Sequence, residues 1–73
     1  MDILQGIVKF QDLGMGVWTL LTHDGSNYEL IGSDELFRDG LPATVHGKIR
    51  KDLMSAGNMG PIFEVHATTF EQK

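Results

Sequence analysis

Two short runs in the first half of the chain combine apolar, aromatic and β-branched residues with polar ones, and a turn sequence separates them. Residues 17–22 read VWTLLT, residues 27–31 read NYELI, and HDGS lies between them. Such runs on both sides of an Asp-Gly pair are typical of a β-hairpin. We therefore expect a hairpin here and a small barrel that closes around it.

The length of the turn decides which side chains of the hairpin face inward. A three-residue turn with Gly25 in the left-handed region pairs Leu20 with Tyr28 and Trp18 with Leu30. A two-residue turn shifts one strand by one residue and puts the tryptophan and the tyrosine on opposite faces. We prefer the three-residue turn because it collects four large apolar side chains on one face.

Three further segments have strand character. Residues 3–11 form the first strand, in which Gly6 predicts a bulge or a sharp coil. Residues 43–50 and 62–68 alternate between apolar and polar positions, as half-buried antiparallel strands do, and Phe70 extends the core. The inward residues predicted for the last strand are Phe63, Val65 and Ala67. Residues 12–16 and 51–60 are predicted to be a turn and a long polar loop.

Residues 33–40, SDELFRDG, predict one short helix. Ser33 suits the N-cap, acidic residues follow it, and Gly40 suits the C-terminal stop. Leu36 and Phe37 would then plug one end of the barrel. The predicted order is three strands, a short helix and two strands, which is the element order of the five-stranded, all-β OB-fold.

The chain resembles a small bacterial OB-fold domain, and its first third is similar to cold-shock domains. Residues 6–10 (GIVKF) resemble the first strand of that family, and residues 14–17 (GMGV) stand where the family carries an aromatic segment. Met15 and Val17 replace its stacking aromatic residues, and residues 28–30 (YEL) replace its second aromatic motif. The resemblance therefore implies the barrel fold, without the base-stacking residues of the family.

Length and composition limit the architecture and the location. The 73 residues make one domain, residues 1–73, near the lower practical size, which buries about 60% of its unfolded surface. Without cysteine there is no disulfide and no thiolate metal site. No apolar run approaches the ~20 residues that span a bilayer. No signal sequence is recognisable, so we expect a cytoplasmic protein. Whether the domain is the N-terminal part of a longer protein is left open.

The outer face of the first three strands is the sharpest functional hint in the sequence. Aliphatic side chains are predicted to gather there, and a contiguous exposed apolar patch is typical of a surface for a protein or a neighbouring domain. Coiled barrel strands that bury both faces would explain the same pattern without any partner. The predicted contact residues are Ile7, Val17, Thr19, Leu21, Glu29 and Ile31.

Single-stranded nucleic acid is the alternative ligand. Such binding needs exposed aromatic rings, worth about 1–3 kcal/mol per stacked base, and basic groups along the phosphate path. A net charge of −4 opposes it, because phosphate neutralisation supplies most of the affinity. The preferred hairpin register also turns both hairpin rings toward the core. The residues that would carry this function are Lys9, Trp18, Tyr28, Lys48 and Arg50.

The sequence predicts neither an enzyme nor a metal or cofactor site. A cross-strand pair of His46 and His66 would offer two nitrogens to a metal, but no third ligand can be named. Pairing of Lys48 with Glu64 is the simpler interpretation of the basic strand face. The residues His23, Asp24 and Ser26 are of the types found in a hydrolytic triad, but neighbours along one turn cannot converge as a triad does. We therefore expect a non-enzymatic binding module.

Overall fold

Five β-strands and one 3-10 turn make up the described chain. The computed structural model describes residues 1–12, 16–53 and 60–71. The strands are β1 (Asp2–Gln11), β2 (Val17–Thr22), β3 (Asn27–Ile31), β4 (Pro42–Arg50) and β5 (Ile62–Phe70), with a 3-10 turn at Asp34–Leu36. The predicted fold class, an all-β barrel of five strands with a short helical element between the third and fourth, is confirmed.

The strands form one closed barrel in the order β1-β2-β3-β5-β4. All neighbours are antiparallel except β3 and β5, which run parallel over three residue pairs. The β1–β4 pairing closes the barrel, so that β1 is flanked on both sides over part of its length.

β1 pairs with β4 over its first half and with β2 over its second half, and Gly6 lies where the two paired stretches overlap. Residues 2–7 of β1 pair with β4, whereas residues 6–11 pair with β2. A Cβ atom at Gly6 would lie less than 3.0 Å from the carbonyl oxygen of Leu21. Only glycine permits this approach of the two backbones, which agrees with the predicted sharp coil of the strand.

The hairpin has the preferred register. Trp18 pairs with Leu30 and Leu20 pairs with Tyr28. The Thr22 amide donates to the Ser26 carbonyl at 2.9 Å, and the turn glycine between them has φ +87°. The prediction of a three-residue turn with a left-handed glycine is confirmed.

β5 contains a β-bulge, and the predicted inner face of this strand is therefore wrong beyond the bulge. Gly47 pairs with Val65, but the preceding His46 pairs with Ala67, so His66 is an extra residue without a partner in β4. The inward positions after it shift by one, because an inserted residue reverses the alternation. Ala67, predicted inward, is therefore exposed, while Thr68 lies opposite the buried Val45.

The predicted helix over residues 33–40 is shorter than expected. Only Asp34–Leu36 forms a 3-10 turn, and Ser33 makes no side-chain capping hydrogen bond. The residues after the turn bond to β1 instead of continuing a helix: the Gly40 amide donates to the Val8 carbonyl at 2.7 Å, and Asp39 Oδ1 accepts from the Phe10 amide at 2.9 Å. The helix therefore competes with barrel contacts and ends after one turn.

The core consists of side chains from the strands together with Phe37 from the segment after the 3-10 turn. Phe37 is buried in the core, and Leu36 and Phe70 pack against it, so the predicted contribution of all three residues to the core is confirmed. The buried core residues are Val8, Leu20, Leu30, Phe37, Ala43, Val45, Phe63 and Val65. Most of the predicted turn around Gly16 and of the loop over 51–60, namely residues 13–15 and 54–59, lies outside the described residues.

Candidate functional site

An aliphatic patch on the outer face of β1 and β2 is the most exposed part of the predicted contact surface. Ile7 and Leu21 are cross-strand partners, so their side chains lie side by side on this face. Leu21 is 42% exposed and Ile7 is half-buried. Ile3, on the same face of β1, is 59% exposed. We call these three residues the aliphatic patch.

The rest of the predicted contact surface is much less accessible. Thr19 is 1% exposed and its cross-strand partner Glu29 is 8% exposed. Glu29 also pairs with Ile62, which is buried too, so one row across β2, β3 and β5 is closed off from solvent. The expectation that Thr19 and Glu29 lie on an open face is therefore corrected, while Val17 and Ile31 are half-buried.

Backbone-directed hydrogen bonds accompany this burial. Thr19 Oγ1 donates to the Lys9 carbonyl at 3.3 Å, and the Glu29 amide donates to the Pro61 carbonyl at 2.9 Å. Both bonds tie neighbouring segments of the barrel together. No pattern in the sequence could have signalled this, because the burial arises from neighbours that are far apart along the chain.

The two hairpin aromatics belong to the edge of the core. The Trp18 ring lies between Phe10, at 5.0 Å between centroids, and Phe37, at 5.4 Å. The Tyr28 ring meets Phe63 edge to face at 6.5 Å. Trp18 and Tyr28 are both half-buried and pack against the core, as the hairpin register predicts. Neither ring stands free as a stacking platform.

The basic side chains predicted for phosphate contact do not form a free cationic row. Lys9 and Lys48 are exposed, but the Arg50 guanidinium is engaged by two carboxylates. It donates to Asp52 through Nε at 2.9 Å and Nη2 at 2.7 Å, and to Glu64 through Nη1. These bonds raise the pKa of Arg50 and lower the pKa of Asp52 to about 2.

The predicted histidine pair is wrong, and the lysine–glutamate pairing holds only as a strand register. Because of the bulge, His46 faces Ala67, and His66 Nε2 instead lies 3.0 Å from Glu64 Oε2. Lys48 and Glu64 are strand partners, but the glutamate carboxylate is bound by Arg50 and His66. Among the described residues, no three His, Cys, Asp or Glu side chains come together as metal ligands do.

The turn residues hold the turn together. Asp24 Oδ1 accepts from Thr22 Oγ1, and it accepts from the Ser26 amide at 3.1 Å. These hydrogen bonds lower the pKa of Asp24, so the carboxylate is charged at neutral pH. The polar side chains of the turn thus serve its local geometry, in the manner of an Asx turn.

A shallow groove of about 340 Å³ separates the turn from the first half of β1. One wall is formed by β1 and the other by the end of β2 with its turn, and Tyr28 also lines it. The lining residues are Ile3, Leu4, Gln5, Thr22, His23, Asp24 and Tyr28. The groove therefore begins beside the aliphatic patch, with which it shares Ile3.

In the part of the chain that the structure describes, no helix has the length and apolar character to cross a membrane. Comparison of the chain with known protein families, with curated proteins and with solved structures found no match.

Proposed function

We propose that this chain is a non-enzymatic binding module that contacts a protein or a neighbouring domain through the outer face of its first strands. The observation that carries the proposal is the aliphatic patch, in which Leu21 is 42% exposed beside its partner Ile7. Exposed apolar groups that adjoin one another are characteristic of protein contact sites. The patch keeps two of the six residues predicted from the sequence and adds Ile3.

The proposal includes an OB-type barrel and a cytoplasmic location. The strand order with the short helical turn between β3 and β4 supports the OB type. The absence of cysteine is in keeping with a reducing compartment.

Protein is favoured over nucleic acid by the state of the aromatic and basic side chains. Trp18 is held between two phenylalanines, and Arg50 is already paired with two carboxylates. A phosphate at Arg50 would compete with these two carboxylates for the guanidinium and would be repelled by their charge. The net charge of −4 adds a long-range repulsion toward nucleic acid.

Site-specific photo-crosslinking in the native host tests the proposal. A photoreactive phenylalanine analogue replaces Leu21 in one variant and Asp34, an exposed residue of the 3-10 turn, in a matched control. We expect a discrete protein adduct, or a link to a neighbouring domain, from position 21 and none from position 34. Adducts from neither position, or from both equally, would contradict a binding surface at the aliphatic patch.

A further inference from the structure

The first half of β1 has a strand neighbour on one side only. Residues 2–7 pair with β4, but pairing with β2 begins only at Gly6. Within the described ranges 1–12, 16–53 and 60–71, no strand lies beside residues 2–5 on the β2 side. This stretch is therefore an open sheet edge inside an otherwise closed barrel.

The backbone groups that face this open edge can be assigned from the strand alternation. The Val8 amide donates to the Leu41 carbonyl at 3.1 Å, and the Val8 carbonyl accepts from Gly40, so the even residues of β1 direct their backbone groups toward β4. The Lys9 carbonyl accepts from Thr19 of β2, as expected for the odd residues. Ile3 and Gln5 therefore present their N–H and C=O groups to the open side.

The groove of about 340 Å³ lies directly along this edge. Ile3, Leu4 and Gln5 form one wall, and the Thr22–Asp24 turn lies across from them. Leu4 and Tyr28 pack against the core but are only half-buried, so apolar surface is open to the groove. Backbone groups that lack a strand neighbour on one side, next to half-covered apolar side chains, are the arrangement that accepts an added β-strand.

The charge of the groove indicates the chemistry of the strand that would enter. Asp24 is charged at neutral pH, and none of the described residues that line the groove is Lys or Arg. A cationic side chain near one end of an incoming segment would be attracted to this carboxylate. Apolar side chains at alternate positions would cover Leu4 and Tyr28 on one face and adjoin Ile3 on the other.

We infer that the open edge of β1 at Ile3–Gln5 binds an extended segment of a partner protein as an added β-strand, with alternating apolar residues and a Lys or Arg opposite Asp24. This inference rests on the proposed function and specifies the form of the partner. A basic peptide segment is favoured over a second copy of the chain because of charge. Each copy has a net charge of −4 and carries Asp24 beside this groove, so two copies would repel each other there.

Selection from a phage-displayed library of random dodecapeptides, with the full chain as bait, supplies the probe. Enrichment of peptides that alternate β-branched or other apolar residues and carry a Lys or Arg is the expected result. Failure to enrich any peptide would overturn the inference, because a strand-adding edge tolerates many sequences.

Amide hydrogen exchange on the ¹⁵N-labelled chain then locates the bound peptide. In the free chain the amides of Ile3 and Gln5 are expected to exchange faster than that of Leu4, which faces β4. With the selected peptide at saturation, both should slow by at least about tenfold. The same peptide with alternate backbone amides methylated keeps its side chains but cannot pair on its methylated side, so no such slowing should occur with it.

Variants at one position separate backbone pairing from side-chain contact. Ile3→Pro removes the amide hydrogen that faces the groove, whereas Ile3→Val retains it and is the matched control. Peptide affinity should fall about tenfold in the proline variant and change little in the valine variant. Equal affinities of the two variants would overturn strand pairing at this edge.

Two other outcomes would overturn the inference while leaving the proposed function in place. One is peptide binding that perturbs Leu21 but protects neither Ile3 nor Gln5. The other is a dimer of the chain in sedimentation that Ile3→Pro dissociates, which would assign the edge to a second copy. An adduct at position 21 in the crosslinking experiment would still support a protein-binding surface in both cases.

Discussion

At the scale of single residues, the bulge places a hydroxyl inside the barrel. Thr68 Oγ1 is buried and has no hydrogen-bond partner in the part of the chain that the structure describes. A buried polar group without a partner loses its hydration and regains nothing. The residue opposite is Val45, which is fully buried, so the hydroxyl adjoins an apolar surface.

Replacement of this hydroxyl should stabilise the protein. Thr68→Val keeps the β-branched shape and removes the unpaired group, and we expect the free energy of unfolding to rise by about 1 kcal/mol. Thr69→Val, at the exposed neighbour on the same strand, is the control and should change it by less than about 0.5 kcal/mol. Urea unfolding followed by Trp18 fluorescence measures both. A destabilised Thr68→Val protein would show that the hydroxyl is paired in solution.

Gly47, at the bulge, is required because of space rather than backbone conformation. A Cβ atom there would lie less than 3.0 Å from the Glu64 carbonyl oxygen and close to the Phe63 ring. Gly40 offers the opposite case, since its φ is +82° and a Cβ atom would meet nothing within 4 Å.

Alanine substitution should therefore distinguish the two glycines. Gly47→Ala forces strands β4 and β5 apart, and we expect a loss of about 3 kcal/mol or a failure to fold. Gly40→Ala carries only the strain of the left-handed backbone, about 1–2 kcal/mol. Thermal unfolding of the two variants gives the comparison, and equal losses would contradict the close approach at the bulge.

At the scale of elements, one ion-pair network connects the end of β4 with β5. Arg50 binds Asp52 just beyond its own strand and Glu64 on the neighbouring one. His66, the bulged residue, contacts Glu64 from the other side. His66 is thus the fourth side chain of this network, and it lies two residues along β5 from Glu64, as neighbours on one strand face do.

Acid should weaken this network in a defined pH window. The pKa of Asp52 is about 2 in the folded chain, against 3.8 for the free group. A depressed pKa gives stability that is present above pH 3.8 and is lost as the pH falls toward 2. The stability difference between the wild type and Asp52→Asn should therefore shrink over this range. Urea midpoints from pH 5 to pH 2 measure it, with exposed Asp34→Asn as the control. A difference that does not vary with pH would contradict the pairing.

The hairpin could be predicted from local sequence signals, whereas the bulge in β5 could not. The register follows from an Asp-Gly turn and from the need to place Trp18 and Tyr28 on one face, and all of this lies within adjacent residues. Strict alternation in the sequence of β5 gives no sign that His66 is the extra residue. The bulge lies opposite the His46–Gly47 step of another strand, where Gly47 allows close approach to the Glu64 carbonyl. The predicted helix failed for a similar reason, since its last residues bond to β1.

At the scale of the whole molecule, the candidate site was only partly predictable. Ile7 and Leu21 follow from the facing of two adjacent strands. The burial of Thr19 and Glu29 depends on a row that reaches across to β5, which no local pattern defines. The open edge at Ile3 and Gln5 depends on how far β1 extends past its pairing with β2. Both features depend on contacts between segments that are far apart in the sequence, and the periodicity of a single strand does not predict such contacts.

The overall charge and the paired state of Arg50 lead to a prediction about nucleic acid. A fluorescein-labelled oligothymidylate should show no binding at about micromolar protein concentrations in low salt, the condition that most favours phosphate contacts. Fluorescence anisotropy measures this. Saturable binding that weakens with added salt and with Lys9→Ala or Lys48→Ala would instead support the alternative ligand. Glu35→Ala, on the exposed 3-10 turn, is the control for a general charge effect.

The short parallel pairing of β3 with β5 has a consequence for the order of folding. The first three strands and the β4–β5 pair each join neighbours along the chain, but the β3–β5 pairing spans only three residue pairs and joins distant segments. Loop closure must precede any gain from such non-local contacts, so this seam and the β1–β4 seam form late. The β1–β4 seam has six residue pairs and the β3–β5 seam only three, so the β3–β5 seam opens first. Breathing of the native barrel should therefore begin between Ile31 and Glu64, far from the edge at Ile3.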